Sequence, residues 1–182
     1  MFTQAQELET WLSEYEAKLG GWHLEDDEKA SLIDLPLSPG KLYLGGFGSL
    51  NRLKDGMKMD VVISMCKFPD QHYSIPLSKV THHEFPIDDD YQEKTLETMR
   101  GYLIETEKII DAAIKEKKRV LVHCAAGMSR SATVVLYYIL KQTEGISARV
   151  RVERALRYVK TLRPCIFPNR GFLVLLLEAA AI

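Results

Sequence analysis

Apolar positions recur at two periods along the chain, and the switches between them divide it into alternating elements. Leu8, Trp11, Leu12, Tyr15 and Leu19 follow three-four spacing among acidic neighbours, which predicts an amphipathic helix over roughly residues 4 to 19, ended by Gly20-Gly21. The stretch HLEDDEKASLIDLPLSPG that follows reads as an acidic linker. Short β-type runs come next, KLYLGG, DVVISMC and HHEFPI, and then a long helical face marked by Leu96, Met99, Leu103, Ile110 and Ile114. RVLVHC is a further, buried strand. Three helices close the chain: Ser129 to about Gln142, Ala148 to Leu162 with Ser147 as N-cap, and about Asn169 to Ala181. Strands alternating with helices predict an α/β fold, a single domain with a central, mostly parallel sheet flanked by helices.

Composition narrows the setting. With 182 residues, of which 46% are hydrophobic and 27% charged, the chain can bury one proper core. No apolar run reaches the ~18 residues of a membrane span, and MFTQAQELETW has neither the basic nor the apolar region of a secretory signal. Membrane insertion and secretion are not expected. Cys66, Cys124 and Cys165 are odd in number and widely spaced, which fits neither a disulfide framework nor a paired metal site. A reducing compartment is expected, the cytoplasm and also the nucleus. Oligomeric state is left open.

Charge is distributed unevenly. Residues 1–34 carry nine Asp/Glu and two Lys, or −7, while residues 35–182 carry 22 Lys/Arg and 16 Asp/Glu, or +6. An acidic leader before a basic body suits a nucleic-acid partner or a site that accepts anions. Arg149, Arg151, Arg154 and Arg157 are expected on the solvated side of a helix, with no aromatic residue interleaved to stack bases, so nucleic acid is not expected. His82 and His83 are adjacent in a strand and point to opposite faces, and no third ligand is spaced to join them. No metal and no other cofactor is expected.

The candidate chemistry lies in VLVHCAAGMSRSATVVLYYIL, residues 120–140. A strand leads through AAGMSR into a helix, and such a junction presents unpaired backbone N–H groups at a helix N-terminus, where they attract an anion. Ala125, Ala126, Gly127, Met128 and Ser129 would supply the backbone of a phosphate-binding loop, and Arg130 a fork for two phosphoryl oxygens. The helix end, the amides and the arginine all favour an anionic sulfur at Cys124, poised to attack phosphorus. Ser131 is placed to hydrogen-bond that sulfur and help it depart. Ser129 is expected to serve loop geometry or helix capping, and His123 to orient the loop without acting as a base. The leaving oxygen needs an acid, which typically contributes ~10²- to 10⁴-fold, and Asp88, Asp89 and Asp90 stand at the end of another strand.

HCAAGMSRSAT, KLYLGG and ALRYVKTLRPCIFPNRGFL together resemble three separated blocks of the cysteine-dependent dual-specificity protein phosphatases, members of the protein tyrosine phosphatase superfamily. The resemblance covers about Leu35 to Leu177. It implies a protein-tyrosine-phosphatase-like domain over residues 35–182, preceded by an acidic helix and linker at 1–34 that fall outside the family pattern. It also implies hydrolysis of phosphotyrosine, and of phosphoserine or phosphothreonine, through a phospho-cysteine intermediate. Cys124 would be the nucleophile, Arg130 the phosphate ligand, Ser131 the hydroxyl aiding departure, and an aspartate the acid. Counting from Pro86 gives Asp89, which we favour; counting back from Leu96 gives Asp90. The loop lacks the lysines of the related phosphoinositide phosphatase, so phosphoproteins are the expected substrates. Similarity to the phosphatases of regenerating liver implies that Cys66 is a redox partner of Cys124. Two alternatives remain: a phosphoprotein-binding module without turnover, and an RNA 5′-phosphatase or phosphoinositide phosphatase using the same cysteine.

Overall fold

The computed structural model describes residues 4–17, 29–35, 38–54, 56–67, 80–144 and 147–181. Within them the chain runs α1 (Gln4–Ala17), β1 (Ser31–Ile33), β2 (Lys41–Gly45), α2 (Gly48–Lys54), β3 (Val61–Ser64), β4 (Thr81–Glu84), α3 (Glu93–Lys115), β5 (Arg119–His123), α4 (Arg130–Lys141), α5 (Ala148–Leu162) and α6 (Arg170–Ala180). The strands form one sheet in the order β1-β2-β5-β3-β4. β1 runs antiparallel to β2, and the other pairs are parallel. The expected α/β fold with a mostly parallel sheet is the one observed.

Alternation along the strands explains the layering. Val120 and Val122 of β5 and Val61 and Ile63 of β3 enter a large core, while Leu121 and Val62 enter a smaller one with Leu50 and Leu53 of α2. A strand buried on both faces carries an unbroken apolar run, which is why VVIS and VLV lack polar alternation. On the large face, α3, α4, α5 and α6 pack against one another. Met99, Leu103, Ile110 and Ile114 form the buried stripe of α3, as their spacing predicts, and Leu96 is partly buried against the same core.

Several local expectations are corrected. Ser31–Ile33, placed in the linker by its acidic surroundings, pairs with Leu42–Leu44 as the edge strand β1. α2 has only Leu50 and Leu53 to mark it and carries no periodic signature. Ser147 does hold the N-cap position of α5, but its side chain makes no capping hydrogen bond. Arg151 is not on a solvated face: its guanidinium donates to the carbonyls of Leu140 and Thr143 at 2.6 Å and to that of Ala180, clamping the C-terminal ends of α4 and α6. α1 ends at Ala17, and Gly20-Gly21 lie outside the described residues. Trp11 and Leu12 of α1 are buried in the large core, and Tyr15 stacks on Phe167 with ring centroids 4.7 Å apart.

Candidate active site

Three parallel strands, β2, β5 and β3, end together, with Gly45 and Ser64 both paired to His123. The chain then leaves the sheet through Cys124 and turns over Ala125–Ser129 into α4. What shapes this loop is where its carbonyls point. Phe47 N–H donates to the Ala125 carbonyl at 2.8 Å, and Phe167 N–H to that of Met128 at 2.7 Å. Arg163 donates from its Nη2 to the Ala126 carbonyl and from Nε to that of Gly127, both at 3.0 Å. With the carbonyls drawn outward, the N–H groups turn inward. Among the described residues, none of the N–H groups from Ala125 to Ser129 donates to a backbone carbonyl. N–H groups so placed at the start of a helix are of the kind that can bind an anion.

Gly127 makes the turn possible. Its φ is +68°, and a Cβ there would lie 2.5 Å from the Gly45 carbonyl carbon and 2.6 Å from Arg163 Nη2. Neither the conformation nor the space tolerates a side chain. Arg163 also donates to the Lys29 carbonyl at 2.8 Å and is only 1% exposed, so a buried guanidinium ties the loop to the segment before β1.

Cys124 opens this loop, 1% exposed, and the Ser131 hydroxyl donates to its sulfur at 3.2 Å. Ser131 lies in the first turn of α4 with no exposed surface, so its hydroxyl is held in place. Arg130 donates through Nη1 to the Ile87 carbonyl at 3.1 Å, and its Nε lies 3.6 Å from Asp89 Oδ2. Asp89 is pinned further: its Oδ1 accepts from Ser129 Oγ at 2.6 Å and from Asn169 Nδ2 at 2.8 Å. Asp90 turns the other way, its Oδ1 accepting from the Gln92 N–H at 3.0 Å before α3. Asp88 is exposed.

His123 has no exposed surface. Its Nε2 is 2.6 Å from Ser64 Oγ and its Nδ1 3.3 Å from the Cys124 carbonyl oxygen. Burial pushes its pKa from 6.5 down to about 4, so the ring is neutral and orients the peptide. Cys66 follows β3 at the same end of the sheet, buried, and burial with the nearby Cys124 pushes its thiol up to about 12. Cys66, Cys124 and Cys165 are all free thiols.

Of the residues singled out in the sequence, the fold brings Cys124, Arg130, Ser131, His123 and Asp89 together, while Asp90 turns toward the start of α3 and Asp88 is exposed. Of the two roles expected for Ser129, its hydroxyl makes no capping bond and instead ties the loop to its neighbours, donating to Asp89 and accepting from the Asn169 N–H at 3.0 Å. Arg163, Phe167 and Asn169 also act on this loop and on Asp89. Their signal is the segment RPCIFPN, whose residues act across 30 or more positions on the loop and on Asp89.

Known proteins resemble this chain in sequence and in fold. The family model described as "Dual specificity phosphatase, catalytic domain" matches residues 42–181. Protein phosphatase Slingshot homolog 3 of Homo sapiens is 35% identical over 134 residues, 72% of this chain and 18% of that protein. The chain thus spans less than a fifth of that relative's length. The putative tyrosine phosphatase 123R of Invertebrate iridescent virus 6 is 34% identical over 132 residues, 72% of this chain and 82% of that one. Among solved structures, the Yvh1 phosphatase domain from Chaetomium thermophilum superposes with a TM-score of 0.63 at 26% identity, covering 82% of this chain and 94% of that one.

Proposed function

Because the chain belongs to the dual-specificity phosphatase catalytic-domain family, we propose that it hydrolyses phosphotyrosine, and also phosphoserine and phosphothreonine, in phosphoprotein substrates. The observation that carries this reading is the meeting of Cys124, Arg130 and Asp89, from two separate segments, around inward-turned amides. In the first step the Cys124 thiolate forms an S–P bond as the P–O ester bond breaks, and Asp89 gives a proton to the leaving oxygen. The loop amides and the Arg130 fork carry the charge of the transferring phosphoryl group. A bound phosphoryl group competes with Asp89 for that fork, which frees the carboxyl for proton transfer. In the second step water attacks phosphorus, Asp89 takes its proton, and the S–P bond breaks while Ser131 stabilises the departing sulfur.

The proposal extends to the setting. Free thiols at Cys66, Cys124 and Cys165 suit the reducing cytoplasm or nucleus, where dephosphorylation serves signalling. The catalytic unit is residues 35–182, with the 1–34 segment as an added layer whose helix and edge strand pack on it.

The test is covalent. Acid-quenching the full chain during turnover of an aryl phosphate, in excess chelator, should trap phosphate on Cys124 by mass spectrometry. Cys124→Ser should abolish turnover while still binding vanadate, and Arg130→Lys should lose most activity with the bidentate geometry. Substantial turnover by Cys124→Ser would overturn the mechanism.

A further inference from the structure

Ser64 ends β3 with no exposed surface, and its hydroxyl lies between two imidazoles. His82 Nε2, on the edge strand β4, is 2.7 Å away, and His123 Nε2, on β5, is 2.6 Å away. A hydroxyl has one proton to give, so at least one of these contacts is donated by a ring N–H. The far side of His123 decides which. Its Nδ1 faces the Cys124 carbonyl oxygen, which can only accept, so Nδ1 carries a proton. A neutral ring has only that one, and His123 is neutral because it is buried. Its Nε2 must then accept from Ser64, and Ser64 must accept from the Nε2–H of His82.

We infer that His82 is a positioning residue for the nucleophile, acting through Ser64 and His123 to fix the direction of a buried hydrogen-bond chain that ends on the Cys124 carbonyl. The inference rests on the reading of Cys124 as nucleophile. All three donors point toward the Cys124 peptide, and bonds aligned in this way polarise one another where water is excluded. Holding that carbonyl back toward His123 helps keep the following amides turned toward the mouth. His82 is unlike the rest of the chain because it is half-buried at the sheet edge. Glu84 Oε1 lies 3.8 Å from its Nδ1. A second proton at Nδ1 therefore meets a carboxylate and leaves the Nε2–H in place, so the chain keeps its direction in either charge state. Burial lowers the proton affinity of His82, Glu84 opposes that shift, and His83 adds to it. Among the described residues, His123 on β5, Cys66 after β3, and Cys124 and Arg130 beyond β5 also stand at this end of the sheet.

Two measurements decide the matter, and neither needs turnover. In the wild-type chain at neutral pH, ring nitrogen–carbon-proton correlation spectra should show His123 in the Nδ1–H form and His82 with its Nε2 protonated. A deprotonated Nε2 on His82, or an Nε2–H form of His123, overturns the inference without any variant. The second reads the pH dependence of Cys124 alkylation by iodoacetamide, with the modified residue identified by mass spectrometry. His82→Phe removes the donor and should raise the midpoint by about half a pH unit, roughly a threefold loss of reactive sulfur at a given pH on the acid side. His82→Gln, whose amide can donate from the same position, should return most of that shift. A His82→Phe curve that superimposes on wild type, or a His82→Gln as displaced as His82→Phe, overturns it. Normal alkylation curves with no hydrolysis of any phosphoester would instead count against the proposed activity, so the two failures are distinct.

Discussion

Asn169 holds Asp89 with one end of its amide and starts α6 with the other: Nδ2 donates to Asp89 Oδ1 at 2.8 Å, and Oδ1 accepts from the Phe172 N–H at 3.0 Å. A helix cap thus anchors the carboxylate that faces Arg130, and a change at 169 can be designed to spare one role. Asp keeps the cap oxygen but replaces the donor with a like charge.

Asn169→Asp should therefore lower kcat on poor leaving groups by about tenfold, within the range a positioned acid supplies, and change melting little. Asp89→Asn should do so more strongly, flattening the acid-dependent limb of the pH profile, while Asp90→Asn stays mild. Rates across a series of aryl phosphates check this. A larger loss from Asp90→Asn than from Asp89→Asn would move the acid to position 90.

Gly127 and Arg163 test the cradle itself. Gly127→Ala places a methyl in the left-handed region against the Gly45 backbone, so activity should fall by orders of magnitude. Arg163→Met leaves the carbonyls of Ala126, Gly127 and Lys29 without their charged donor in a buried place. Removing such a partner costs ~1–3 kcal/mol per group left unsatisfied, so urea unfolding should show a loss of about 3 kcal/mol or more. A variant with wild-type stability would mean that water replaces the guanidinium at little cost.

These two residues also show what sequence can and cannot disclose. The Cys124-to-Arg130 loop was legible because its chemistry is local: seven consecutive positions hold the thiol, the small residues, the glycine and the guanidinium. Trp11 and Leu12 were legible by their spacing and are buried accordingly. Arg163 was not, since an arginine between Leu162 and Pro164 looks solvated until Ala126, Gly127 and Lys29 are folded against it. The same holds for β1, three residues whose strand character comes from pairing with Leu42–Leu44, and for Ser64, which acquires meaning only between two histidines from other strands.

Burial of His123 makes stability depend on pH. Its folded pKa, about 4, lies below the ordinary 6.5, so between those values the unfolded chain binds the extra proton. The contribution is present above about pH 6.5 and is lost as pH falls toward 4, on the order of 3 kcal/mol. Urea unfolding at pH 7 and pH 4.5 should show this loss. His123→Asn, which cannot titrate, should show a smaller one, and equal losses in both proteins would assign the acid sensitivity to the carboxylates.

We propose Cys66 as the partner that traps an oxidised Cys124. Peroxide takes two electrons from the Cys124 thiolate, giving a sulfenic acid and water. The Cys66 thiol then displaces water from that sulfur to form a disulfide. Cys66 lies at the same sheet end, and its thiol is held protonated by burial. Its thiolate fraction rises about tenfold per pH unit below its pKa, so disulfide should gain on over-oxidation between pH 7 and pH 9. Mass spectrometry after mild peroxide should find a Cys66–Cys124 linkage; sulfinic Cys124 with free Cys66 across that range would dismiss the pairing.

The acidic leader faces a choice between bracing the fold and screening the site, and its contacts favour bracing. Trp11 and Leu12 sit in the large core, and burying two such side chains contributes roughly 1.5–3 kcal/mol each. Tyr15 stacks on Phe167, whose N–H holds the Met128 carbonyl, and Lys160 lies 5.4 Å above the Tyr15 ring. Glu9 and Glu16 both pair with the one guanidinium of Arg170, next to Asn169, so their charge is partly offset. A helix held by these contacts is placed as a brace, and what remains of its field reaches only the ~8–10 Å that salt permits. Deleting residues 1–28, which spares β1, should lower the melting temperature by several degrees and loosen the loop through Phe167, reducing kcat. The Michaelis constant for an acidic phosphopeptide should respond to salt as it does in the full chain. A truncated protein that melts normally and binds that peptide more tightly only at low salt would establish screening instead.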